Sequence, residues 1–139
     1  AGSSAFPHVN WGNGLVDLDN DGDLDVVVLN ANDRPAILRN ETPTQNHWVE
    51  LSLRGAQSNR NGVGARVEVT AGGRRQVAQV HSGRGYQSHY GTRLHFGLGA
   101  ASELDQVRVR WPDGHFETFR DVTADRAIIV QQGRGQADK

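Results

Sequence analysis

The chain has 139 residues with 16 acidic side chains against 15 Lys and Arg, for a net charge of -1 at pH 7, a length that holds one domain or a small domain with an appendage and leaves no room for a multidomain enzyme. Apolar residues make up 36 % and the mean hydropathy is -0.61, yet Val, Ile, Leu and Trp recur at short intervals, which predicts a modest packed core and not a disordered chain. No apolar run reaches the length of a membrane span, and with no cysteine there is no disulfide, thiolate metal ligand or cysteine nucleophile.

The chain opens Ala1-Gly2-Ser3-Ser4-Ala5-Phe6 without an initiator Met. Such a start reads either as a chain processed by signal-peptide cleavage or as a tail excised from a longer protein, and the first reading gives the expectation of an extracellular, secreted or cell-surface location. Strands are predicted around 13–16, 25–30 and 36–39. Between the first two lies Asp17-Leu18-Asp19-Asn20-Asp21-Gly22-Asp23-Leu24-Asp25, which holds five of the eleven aspartates at every second position. Such carboxylates repel one another unless a hard divalent cation joins them. Ca2+ takes six to eight oxygens, and a loop with Asp at positions 1, 3, 5 and 9, Gly at 6 and a main-chain carbonyl at 7 wraps one ion. The spacing assigns the side chains of Asp17, Asp19, Asp21 and Asp25 and the carbonyl of Asp23 as ligands, with Gly22 at the sharp turn. Position 12 is Val28, not the bidentate Glu of an EF-hand, and β-branched flanks predict strands on both sides. Mg2+ suits the loop less well because it keeps its waters and demands stricter geometry. Asn40-Glu41-Thr42 is a sequon, and Asn40 is a candidate glycosylation acceptor.

Residues 1–45 hold seven acids and two arginines, whereas 46–139 carry an excess of four positive charges. In the second part Val49, Leu51 and Leu53, then Val67 and Val69, then Val107, Val109 and Trp111 alternate with polar residues, the period of half-buried strands. Further strands are predicted over 76–81, 93–97, 115–119 and 126–132, with hairpin turns at Ala71-Gly72-Gly73-Arg74 and Pro112-Asp113-Gly114. The fold class is therefore all-β: a single propeller-blade-like calcium-binding repeat, 1–45, and a compact antiparallel β-sandwich or barrel, 46–139. The arginines of the second part alternate along strands and do not cluster in sequence, a weak signal for nucleic acid, which is not expected as a partner.

Residues 13–40 resemble an FG-GAP/VCBS-type repeat, the calcium-binding blade unit of integrin-like propellers. His47-Trp48-Val49-Glu50-Leu51, Asn61-Gly62-Val63-Gly64, Ser82-Gly83-Arg84-Gly85-Tyr86, Leu94-His95-Phe96-Gly97-Leu98-Gly99 and Val109-Arg110-Trp111-Pro112-Asp113-Gly114 resemble the ASPIC/UnbV domain. The order of the two is that of the C-terminal part of proteins similar to the cartilage acidic protein family. The resemblance implies a calcium-dependent secreted or cell-surface protein and carries over no catalytic residue.

No residues converge on a nucleophile or general base. Ser82 lacks a nucleophile elbow, and His81, His89, His95 and His115 read as strand and loop histidines without metal-ligand spacing. Tyr86 and Tyr90, with Arg84 and His89 at the rim, form a candidate sugar-stacking platform. A single blade leaves Leu15, Val16, Val26, Val28, Leu29, Ile37 and Leu38 to be covered, and a propeller needs several blades to close. The expectation is a non-enzymatic, calcium-binding structural or adhesive module that associates with other copies of itself into a filament or tube. A carbohydrate-binding module of a larger secreted propeller protein is the alternative.

Overall fold

The computed structural model describes residues 9–137. They fall into two compact units, one formed by the chain up to Pro43 together with Gly83–Gly91, the other by Thr44–Ser82 and the chain from Thr92. Among the described residues there is no helix.

The first unit is a three-stranded antiparallel sheet in the order β1 (Asn10–Val16), β2 (Asp25–Asn30), β3 (Ala36–Leu38). Val16 pairs with Asp25, so the aspartate-rich segment is the loop that turns β1 into β2. Asn20 and Gly22 take φ of 62° and 96° there, a left-handed conformation that Gly and Asn adopt at least cost. Gly12 and Gly14 on β1 have a different role. A Cβ on Gly14 would lie 3.1 Å from the Tyr90 Cβ, and one on Gly12 would lie 3.2 Å from Ser88 Oγ. The bare backbone of β1 thus admits the 83–91 segment, a close approach that any side chain would hold off. That segment lies inside the predicted 46–139 stretch in sequence but is folded with the first unit.

The second unit is built from β4 (His47–Arg54), β5 (Arg66–Ala71), β6 (Arg74–Gln79), β7 (Leu94–Gly99), β8 (Glu103–Leu104), β9 (Gln106–Arg110), β10 (Phe116–Phe119), β11 (Val122–Thr123), β12 (Arg126–Gln131) and β13 (Gln136–Ala137). They make a five-stranded sheet, β13-β10-β9-β5-β6, a three-stranded sheet, β12-β4-β7, and the short pair β11-β8. Both predicted hairpin turns form, with Gly72, Gly73 and Gly114 at positive φ. The two larger sheets bury one common apolar cluster. Val67, Val69, Val107 and Val109 come from one sheet, Val49, Leu51, Leu94 and Phe96 from the other, and Trp111 is 1 % exposed among them. Each such side chain contributes about 1.5–3 kcal/mol when fully buried.

Two expectations are corrected. No sheet closes into a barrel: the larger sheets end on separate edge strands, β13 and β6 in one, β12 and β7 in the other. The unit is also not wholly antiparallel, because β12 runs parallel to β4 from Arg126↔Val49 to Gln131↔Arg54. A tight hairpin forces antiparallel pairing, but β12 reaches β4 only after seven intervening strands, a connection long enough to permit the parallel direction.

Candidate metal centre

The β1–β2 loop folds around its own carboxylates. Asp17, only 4 % exposed, accepts the Asn20 amide on Oδ1 at 2.6 Å and the Gly22 amide on Oδ2 at 2.9 Å. Asp21 Oδ1 accepts the Asp23 amide at 2.9 Å. These contacts curl the loop so that one carboxylate oxygen each from Asp17, Asp19 and Asp21 lies within 4.8 Å of the other two. Asp17 forms the buried floor, and Asp19 and Asp21 are exposed. Three carboxylates at that separation repel strongly unless a cation lies between or beside them. Arg39, just past β3, pairs with Asp19 and also reaches Glu41 at 3.8 Å.

Asp25 has a different position from the other three. It is 2 % exposed, with Oδ2 accepting the Leu18 amide at 3.1 Å and Oδ1 the Asn40 amide at 2.8 Å. It thereby ties the start of the loop to the segment after β3. The Asn40 amide, the Leu18 amide and the Arg39 charge hold its carboxyl below the ordinary aspartate range against the opposing effect of burial. Of the expected ligands, the structure brings Asp17, Asp19 and Asp21 together, turns the Asp25 carboxylate to backbone amides, and places Asp23 as a donor to Asp21. The gathered donors are all hard oxygens, the set Ca2+ prefers. Arg39 is the participant that spacing alone did not single out. Its signal was that it is one of two arginines in a strongly acidic stretch.

The remaining candidates fall elsewhere in the two units. Tyr86 is 65 % exposed and Trp11 on β1 is 51 % exposed, their ring centroids 6.2 Å apart. The Arg84 guanidinium lies 5.5 Å from the Tyr90 ring centroid and covers one of its faces. His89 and Tyr90 line a cavity of about 180 Å³ with Val16, Val27 and Leu29. The Asn40 side chain is half-buried and accepts the Thr42 amide at 3.3 Å. His95 stacks on Trp48 at 5.9 Å, and His115 lies 3.3 Å from Asp113.

An oxygen-donor loop on a small antiparallel sheet, carried with a unit of two β-sheets around one core, defines an all-β protein with a candidate cation site. Residues 55–137, more than half of the chain, match the family described as ASPIC and UnbV, and the chain belongs to that family. No curated protein matches the chain significantly in sequence.

Proposed function

We propose that the chain is a non-enzymatic, calcium-binding extracellular module, with an FG-GAP/VCBS-type repeat in residues 1–45 and an ASPIC/UnbV β domain in 46–139, and that it works structurally by associating with other copies of itself. The observation that carries the reading is the gathering of the Asp17, Asp19 and Asp21 oxygens within 4.8 Å of one another at a strand-to-strand turn. Asp17, Asp19 and Asp21 would hold the ion, and its charge would offset their mutual repulsion. The case for association is the exposure of Leu15, Leu29, Ile37 and Leu38 on the small sheet, apolar surface that water disfavours.

Thermal melting of the full chain in Ca2+ and in chelator is the test, with light scattering on the same samples. Calcium at a hundred-fold excess over its dissociation constant should add about 2.7 kcal/mol to stability, and Asp21→Ala should abolish that increment. Chelation should also reduce the scattering mass. A wild-type melt indifferent to calcium overturns the metal reading, and a strict monomer at saturating calcium overturns self-association. The exposed Trp11–Tyr86 pair favours a second reading, a carbohydrate-binding module, which predicts a calcium-saturated monomer that binds neutral sugar oligomers and loses them on Tyr86→Ala.

A further inference from the structure

The register of the five-stranded sheet fixes what stands on its outer face, since alternate residues of a strand share a face. Arg110 on β9 is opposite Arg66 on β5 and Phe116 on β10, and two residues along, Arg108 is opposite Glu68. The Arg108 and Arg110 guanidinium carbons lie 4.6 and 5.9 Å from the Phe116 ring centroid. Arg75 on β6 pairs with Glu68 at 2.6 Å. Together these six side chains line a depression of about 210 Å³, with four guanidinium groups to one carboxylate. The Arg66 side chain makes no hydrogen bond or ion pair among the described residues.

Like charges directly opposite each other in neighbouring strands destabilise a sheet, and Arg66 faces Arg110. Long arginine stems covering the sheet would explain the aliphatic parts but not four cationic heads around one depression. Arg75 pairs with Glu68, and Arg108 and Arg110 lie over Phe116, but one carboxylate does not neutralise four guanidinium groups, and such a local excess of like charge marks a site whose partner brings the opposite charge.

We propose that this face binds an anionic polysaccharide. Planar guanidinium groups grip carboxylate or sulfate oxygens with paired donors, and Glu68, placed among them, accepts from sugar hydroxyls. A single-stranded nucleic acid finds no open aromatic platform for its bases, because the Phe116 ring lies under Arg108 and Arg110. A peptide strand cannot add to the sheet here, because β5 and β9 are interior strands paired on both sides. An apolar peptide anchor finds no pocket either, because Phe116 lies under two arginines.

The test is calorimetric titration of the full chain with a sulfated heparin hexasaccharide and with a hexagalacturonate, both in chelator so that the result is independent of the calcium loop. At least one should bind, with affinity that falls as salt rises. The double variant Arg66→Gln/Arg110→Gln should weaken binding by about ten-fold or more through loss of two charge-assisted pairs, with a melting temperature no lower than wild type. Arg66→Lys, which keeps the charge but loses the paired donors, should fall between and secures the test if the double variant folds poorly. Arg54→Gln/Arg126→Gln, with the same charge change on exposed positions of β4 and β12, should stay within about two-fold of wild type, a long-range effect that salt screens. Equal losses in the two double variants, no binding of either oligosaccharide, or tighter binding of a single-stranded DNA of equal charge each overturn the proposal.

Discussion

Asp17 and Asp25 are both buried, and each carboxylate satisfies two backbone amides, so the loop has a scaffold before any cation arrives. Asp25 gives that scaffold a pH dependence. Its folded carboxyl lies below its unfolded value of about 3.9, first because of the Asn40 amide, then the Leu18 amide and Arg39. A depressed carboxyl stabilises the fold fully above its unfolded value, and the stabilisation is lost as pH falls through the folded value. Asp25→Asn, measured by urea unfolding in chelator, should therefore be less stable than wild type at pH 7, and the two should converge as the pH drops well below 4. A gap that stays constant down to pH 2 would mean that the carboxylate charge is not what holds Leu18 and Asn40.

At the scale of elements, the second unit is fastened by a residue that local pattern could not reveal. Gln132, 5 % exposed just after β12, accepts the amides of Ala56, Gln57 and Ser58 on one oxygen at 2.9, 3.0 and 3.0 Å. Its Nε2 donates to Asp113 at 2.7 Å. It joins the loop after β4, the turn before β10 and the end of β12. Gln132→Ala should lower stability by about 2 kcal/mol, the cost of leaving such groups unpaired where solvent reaches part of the loop. A change below a few tenths, read from denaturant midpoints, would show that water replaces the side chain. The longer strands were legible because apolar residues alternate within them, as in β4, β5 and β9, or run together in short β-branched stretches, as in β2 and β12. The pairs β8, β11 and β13, each of two residues, are too short to carry a period. Aspartate spacing displayed the loop, but which carboxylates face one another and which face amides depends on the turn at Gly22 and on Asn40, 15 residues beyond Asp25. In the same way the alternation of Arg108 and Arg110 was visible, whereas their proximity to Arg66 required knowing that β9 lies beside β5.

Over the whole molecule, the two units meet their stability requirements differently. The second has a core with Val49, Leu51, Val67, Val69, Val107 and Val109 at 0 % exposure, while Leu15, Leu29, Ile37 and Leu38 of the first are 43–60 % exposed. The second unit's integrity depends on strands far apart in the chain. Truncation after Asp125 removes β12 and β13, uncovers one edge of β4 and deletes Val130 from the core. The truncated chain should show no cooperative unfolding transition in a calorimeter. A residual sharp transition of similar enthalpy would mean that β4 and β7 suffice.

The parallel pairing of β12 with β4 also sets a schedule for synthesis. Val49 is made 77 residues before its partner Arg126, an interval of roughly 4–15 s at ribosomal rates of about 5–20 residues per second. Throughout that interval one edge of β4 has no native neighbour, and an unpaired apolar strand is open to mispairing with other chains. The nascent protein can complete its main fold only when nearly all of the chain described here has left the ribosome, so its yield in a cell should depend on what shelters that edge during translation.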